Sequence, residues 1–295
     1  MKNHFTLLHF SLAISTSLGG CSLAPFQTKA ALCPSGETLR IGVDQQLFPL
    51  NQGLDEQASD IKKLETFLGK VTQCPIQMEP IVSAQLGRKS IKTGSFDFAF
   101  LAPSLSVLAL NQDSGYVPLR SLGQDVLVRS AMLVPETSNM KDYSGLNGKK
   151  IGLLSSGLIG YYLARYNTFG VNIAGTDYGL SYEDLVNKLK NHQVDAIAWD
   201  TQITPLPPGT RLGAIDPHLL PSGALLMHSR LNSLDYTGLL KELDENSFQL
   251  PSFLRYGAST KPELTAYNHF IKIVQTVDQW DKQSQPIIGQ QEANH

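Results

Sequence analysis

The chain has 295 residues, 42% of them hydrophobic and 17% charged, with a formal net charge of -2 at pH 7. That composition supplies core material for one large domain or two of ordinary size and excludes an intrinsically disordered chain. A charge so near zero lacks the electrostatic footprint of a nucleic-acid binder, and no run of like charge, low-complexity stretch or fixed-period repeat is present.

The N-terminal stretch reads as a leader. Lys2 gives it a small positive start. Phe5, Leu7, Leu8, Phe10, Leu12 and Ala13 form an apolar stretch too short to span a bilayer as a mature helix. Leu18-Gly19-Gly20-Cys21 follows and resembles a bacterial lipobox, which implies cleavage before Cys21 and acylation of its thiol. Cleavage elsewhere, leaving Cys21 a free thiol, is the other reading. Residues 1–20 are then a signal peptide and 21–37 a tether that holds the fold off the membrane. With Cys21 lipidated, Cys33 and Cys74 remain as an even pair in an oxidising compartment. Each precedes a predicted strand. Neighbouring parallel strands lie ~4.8 Å apart, so the strand starts meet the Cα separation of about 4.4–6.8 Å that a disulfide needs. A Cys33–Cys74 bridge is expected.

The apolar runs predict elements in the order β-α-β-α-β-α. Strands are expected at Leu39–Val43, Ile76–Ile81 and Asp97–Leu101, with helices at Ser59–Leu68, Ser83–Thr93 and Leu105–Leu110. Further strands follow at Val117–Gly123, where Pro118 restricts the strand to an edge or an entry, and at Ser130–Val134. A second block begins with strand Ile151–Leu154, helix Ile159–Phe169, helix Glu183–Asn191 and strand Val194–Trp199. Leu212–Ile215 and Gly223–Met227 read as strands, and Leu231–Leu243 and Leu264–Trp280 as helices. Two such blocks with a return suggest two lobes of one chain, with crossings near 129–134 and 222–229 and parallel sheets under right-handed connections.

Three segments then resemble the phosphate/phosphite/phosphonate branch of the type II periplasmic solute-binding proteins. They are Phe96-Asp97-Phe98-Ala99-Phe100-Leu101-Ala102-Pro103, Leu146-Asn147-Gly148-Lys149-Lys150-Ile151-Gly152, and Gln193-Val194-Asp195-Ala196-Ile197-Ala198-Trp199-Asp200. The resemblance runs from about Leu39 to Trp280. It implies an α/β fold of two lobes, each a mixed, mostly parallel sheet flanked by helices, joined by two crossing strands. It places lobe one at 38–130 and 224–285, lobe two at 131–223 and a tail at 286–295. It also implies hinge closure on a small ligand and an ABC permease as partner. The chain departs from the family at Gly157-Leu158-Ile159-Gly160, where phosphonate binders carry hydroxyls at a helix start. Phosphonate, phosphite, a phosphate-like or a related organic anion is the expected ligand class. A sensory or accessory lipoprotein is the alternative, and an enzyme on the same fold a third.

In open α/β sheets, ligands sit beyond the carboxyl ends of the strands. That rule picks out Asp44, Gln45 and Phe48 after the first strand, Pro103, Ser104 and Ser106 after the third, Ser155, Ser156 and Gly157 after the first lobe-two strand, and Asp200, Thr201 and Gln202 after the later one. With Tyr182 as a pocket wall, the ligand-binding candidates are Phe48, Ser104, Ser106, Ser155, Ser156, Gly157, Tyr182 and Asp200. Each has a plainer reading beside it. Ser104 and Ser106 sit where helix caps do. Tyr182 and Phe48 can be packing residues, and Asp200 can hold a loop. Arg129, near the crossing, suits either a ligand anion or an interlobe ion pair. The seven histidines do not cluster, and no G-x-S-x-G, G-x-x-x-x-G-K-[ST] or H-E-x-x-H occurs. No catalytic residue, metal or cofactor is expected, and a monomer anchored to the membrane by lipid is.

Overall fold

The chain adopts the alternation that its apolar runs predict. The computed structural model describes residues 33, 37–49, 52–111, 115–123, 127–231 and 236–284. The expected signal peptide, Cys21, most of the tether and the tail from 286 lie outside the described residues.

The first half runs β1 (Leu39–Asp44), α1 (Leu54–Thr72), β2 (Ile76–Ile81), α2 (Ala84–Lys92), β3 (Phe98–Leu101), α3 (Pro103–Leu110) and β4 (Tyr116–Leu122). The chain then forms β5 (Ser130–Pro135), β6 (Lys150–Leu154), a π-helical turn (Leu158–Leu163) leading into α4 (Ala164–Asn167), β7 (Gly175–Gly179), α5 (Tyr182–Lys190), β8 (Ala196–Asp200) and β9 (Thr210–Ile215). It returns through β10 (Gly223–His228), α6 (Tyr236–Glu245), β11 (Tyr256–Gly257) and α7 (Leu264–Ser284).

The strands form two sheets, ordered β11-β4-β10-β3-β1-β2 and β7-β6-β8-β5-β9. We call the first sheet with its helices lobe one and the second lobe two. β1 pairs in parallel with β2 and β3, and β6 with β7 and β8, while β10 and β5 are antiparallel to their neighbours. β1, β3, β6 and β8 therefore present their carboxyl ends at one edge of each sheet. The two crossings are tied together there, the Leu220 N–H donating to Val128 O (2.9 Å) and the Asp216 N–H to Ser130 O (2.8 Å).

Local signals explain the elements. Asp55 and Glu56 sit in the first turn of α1, where the helix dipole favours acids, and Gln73 ends the helix in the left-handed region at φ 57°. Leu64, Phe67, Leu68 and Val71 form its buried stripe. Ser83 caps α2 by accepting from the Leu86 N–H (3.3 Å), and Pro103 opens α3 at the position where a missing N–H costs nothing. Gly87 lets α2 lie against its neighbours, since a Cβ there would sit 2.6 Å from both Ile81 and Leu105 side-chain atoms. Pro118 lies where β4 has β10 on one side but β11 reaches only Ser121 and Leu122 on the other, so its absent N–H breaks no ladder. Cys33 and Cys74 are bridged with their Cα atoms 5.8 Å apart.

Some element boundaries differ from expectation. α1 begins five residues earlier than the apolar spacing shows, because Leu54 is exposed and its first turn is acidic. The helix after β6 is shorter than 159–169 and starts in π-helical geometry. Gly175–Gly179 is a strand that the sequence does not signal. Its residues Gly-Thr-Asp-Tyr-Gly carry no apolar run, and as an edge strand it has one neighbour, β6.

Phe48, Leu64, Phe67, Phe100, Leu225 and Phe253 belong to one lobe-one core, on the α1 and α6 side of the sheet. A second core joins α2, α3 and α7 to Leu158, Ile159, Tyr162 and Leu163 of lobe two. α7 contributes Tyr267, Phe270, Ile273, Val274 and Val277, each at most 3% exposed. Burial of those five side chains contributes on the order of 10 kcal/mol before conformational entropy is subtracted.

Candidate ligand-binding cleft

The carboxyl ends of β1 and β3 carry the lobe-one candidates. β1 ends in Asp44, which is 3% exposed. Its two carboxylate oxygens accept the Gln46 N–H (3.0 Å) and the Ala102 N–H at the head of α3 (3.2 Å). Burial pushes its pKa up to about 6 against those two hydrogen bonds. Ser104 is buried in the first turn of α3. Ser106 is fully buried, and its hydroxyl donates to Leu101 O (3.1 Å), so the hydroxyl is spent on the end of β3. Phe48 is stacked on Phe253 with ring centroids 4.0 Å apart, inside the lobe-one core.

The lobe-two candidates lie at the ends of β6 and β8. Ser155 is exposed and Ser156 half-buried, and neither hydroxyl engages a partner among the described residues. Gly157 holds φ 101°, a region that side chains rarely adopt, and its carbonyl accepts both the Tyr161 and Tyr162 N–H groups (3.1 and 3.2 Å). A Cβ on Gly157 would lie 3.8 Å from that of Ala84, so the end of β6 meets the start of α2 across the cleft. Leu158 and Ile159 follow at 0% and 3% exposure, packed into the core shared with α3 and α7. Asp200 ends β8 half-buried, accepting the Gln202 N–H (2.9 Å), and burial pushes it up to about 6. Tyr182 opens α5 with its ring edge-on to Trp199 at 5.2 Å. Burial and the nearby Asp200 carboxylate hold its hydroxyl well above the usual tyrosine range.

Residues that sequence reasoning did not single out hold the two lobes together. Arg88 of α2 donates to the Tyr162 hydroxyl and to Asp278 of α7 (3.1 Å), and the Tyr162 hydroxyl donates to Asp278 (2.8 Å). The Tyr161 hydroxyl donates to Asp281 (2.5 Å), which also receives Arg165 (3.3 Å). Trp280 stacks on Phe169 at 4.3 Å. Tyr161, Tyr162 and Arg165 thus align one side of the lobe-two helix with the end of α7. The spacing of Asp278 and Asp281 on α7 was the available signal, and it gained meaning only from the fold.

The structure therefore brings Ser104, Ser155, Ser156, Gly157, Tyr182 and Asp200 to strand ends or helix starts, and takes Phe48 and Ser106 into packing and backbone bonding. Two surface cavities, about 520 and 350 Å³, lie elsewhere, on the lysine-bearing face of α1 and between β4 and α6. No group of three or more His, Cys, Asp or Glu among the described residues is placed to hold a metal ion. No helix among them is long and apolar enough to cross a membrane.

Solved structures with this fold include PhnD1 from Prochlorococcus marinus in complex with methylphosphonate, at 14% identity and TM-score 0.61 over 82% of this chain and 98% of that one. A Xanthomonas citri protein bound to ATP matches at 13% identity and TM-score 0.59, over 82% and 98% of the two chains. A binding-protein component of a Pseudomonas aeruginosa ABC phosphonate transporter matches at 12% identity and TM-score 0.54, over 86% and 91%. At such identities the likeness is one of fold. No curated protein sequence matches. The family model described as "ABC transporter, phosphonate, periplasmic substrate-binding protein" matches residues 51–207, more than half of the chain, and includes all three segments that carry the sequence resemblance. The chain belongs to the phosphonate-type periplasmic substrate-binding proteins of ABC transporters.

Proposed function

We propose that the chain is a lipid-anchored member of that family, captures a small anion (phosphonate, phosphite, phosphate-like or a related organic anion) between its lobes, and delivers it to an ABC permease as a monomer. The observation that carries the reading is the meeting of strand ends across the cleft: the turn after β6 at Gly157 lies against the head of α2. A solute bound there touches both lobes only when they are together, so its affinity for the closed form sets the open–closed balance. Lobe one comprises 38–130 and 224–285 and lobe two 131–223, with the hinge in the crossings. Ser104, Ser155, Ser156, Gly157, Tyr182 and Asp200 are the contacts in this reading, with Phe48 and Ser106 supporting them from behind. Acylation at Cys21 keeps the protein at the membrane.

The test is a thermal-shift screen of the acylated and soluble forms over phosphate, phosphite, phosphonates and sulfonates, followed by small-angle scattering. A true ligand at about 100 times its Kd stabilises the fold by about 2.7 kcal/mol. Neither stabilisation nor a ligand-dependent change in scattering with any solute would overturn the reading. Labelling with a radioactive fatty acid that persists in Cys21→Ser would remove the anchor.

A further inference from the structure

Two buried donors at the cleft edge of lobe two have nothing to donate to. Arg129 Nε and Trp199 Nε1 are sealed from solvent without an acceptor among the described residues. The Arg129 guanidinium forms no ion pair or hydrogen bond among them either. Trp199 is 2% exposed and Arg129 half-buried.

The two residues share one patch of the sheet. In the β5–β8 ladder Ser130 stands opposite Asp200 and Ala131 opposite Trp199. One step further, the Arg129 N–H donates to Thr201 Oγ1 (3.0 Å) and the Thr201 N–H to Arg129 O (3.2 Å), so Arg129 stands opposite Thr201. Side chains alternate between faces, which puts Arg129, Trp199 and Thr201 on the same face as diagonal and direct neighbours. This is the carboxyl end of β8, where the Tyr182 ring packs edge-on to Trp199.

Two other seats for an anion at helix starts are taken. The Ala102 N–H at the head of α3 is already bonded to Asp44, and the helix after β6 opens with Leu158 and Ile159 buried in the shared core. A guanidinium keeps its proton at any ordinary pH and presents a planar fork that fits the oxygens of a phosphonate, sulfonate or carboxylate. A buried donor left without an acceptor destabilises the fold, and a bound oxyanion removes that penalty.

We propose that Arg129 and the Trp199 indole N–H seat the anionic group of the solute. Tyr182 then faces its organic portion, which makes the ligand class an oxyanion carried on a short organic chain. The proposal rests on the binding-protein reading above and deepens it.

The experiment is calorimetric titration of the full secreted chain with methylphosphonate, phosphite and ethanesulfonate, beside the neutral ester dimethyl methylphosphonate. Arg129→Gln removes the charge, and Trp199→Phe keeps the ring but removes the N–H. We expect Arg129→Gln to weaken the anion that binds at least about tenfold and to flatten its salt dependence. Trp199→Phe should weaken it about three- to tenfold, the span of one lost neutral hydrogen bond. Both variants should keep the unliganded melting midpoint within a few degrees. Arg129→Lys, which keeps the charge and loses the fork, should bind between wild type and Arg129→Gln. Equal anion affinity in wild type and Arg129→Gln would overturn the proposal and leave the binding-protein reading intact. So would a wild type that ignores every anion of the panel yet is stabilised by a neutral or cationic solute. Stabilisation by no solute at all would overturn both.

Discussion

Asp44 gives a stability test whose sign is fixed by the structure. Its carboxyl is 3% exposed, and burial pushes its pKa from 3.8 up to about 6. Between those two values the folded chain keeps a proton that the unfolded chain has lost. The group therefore adds stability at low pH, and that contribution is lost as pH rises through 6. A rise of about two pKa units corresponds to about 3 kcal/mol between pH 4 and 7.5. Asp44→Asn removes the titration. It also replaces one acceptor oxygen by an amide that donates, so either Gln46 or Ala102 loses its partner at a cost of about 1 kcal/mol at every pH. The variant should be less stable than wild type at pH 4 by about 1 kcal/mol and more stable at pH 7.5 by about 2 kcal/mol. Urea unfolding at half-unit pH steps, with unchanged m-values, measures the difference curve and cancels the other acids, Asp200 included. Curves that run parallel from pH 4 to 7.5 would refute the reasoning, because the carboxylate would then titrate alike in both states.

Asp200, also pushed up to about 6 by burial, lies at the cleft edge, so an anionic ligand should bind more tightly at pH 5 than at pH 7.5. Titration calorimetry at the two pH values reads this, and Asp200→Asn should remove most of the difference. Reducing Cys33–Cys74, which closes a separation of 41 residues, should destabilise the chain by about 4 kcal/mol on the loop-entropy model. Denaturant midpoints with and without reductant check that value, and an unchanged midpoint would show the bridge to be idle. Asp278→Asn with Asp281→Asn removes both carboxylates that hold lobe two to α7, and should raise the radius of gyration of the ligand-free chain in solution scattering. An unaltered scattering curve would assign the hold of lobe two on α7 to the apolar and aromatic contacts of Leu158, Ile159, Leu163 and Phe169.

The order of strands and helices was legible because strands in a parallel sheet are covered on both faces and read as apolar runs, as Ile151–Leu154 and Ala196–Trp199 do. β7 was not, since an edge strand of Gly, Thr, Asp and Tyr keeps neither an apolar run nor an alternation. The rule that ligands sit at carboxyl ends points to Ser104, Ser155, Gly157 and Asp200, which lie at strand ends or helix starts, but it cannot say where a side chain turns. Phe48 turns to a ring 205 positions later in the chain, and Ser106 turns back to the carbonyl of Leu101. Arg129 was open to a ligand anion or an interlobe ion pair in the sequence, and the ladder that pairs it with Thr201, 72 positions away, supplies its surroundings. Such information resides in register, which one sequence does not print.

The second core has a consequence for the making of the protein. Five of its buried side chains come from α7, after every strand of both sheets has been synthesised. Until residues 267–277 arrive, α3 and the helix after β6 have an unsealed apolar flank, and the two sheets lack the element that spans them. A chain stopped at residue 263 should therefore stay loosely packed and sensitive to protease, with exposed apolar surface that binds a reporter dye. The polypeptide thus cannot complete its second core until α7 has left the ribosome.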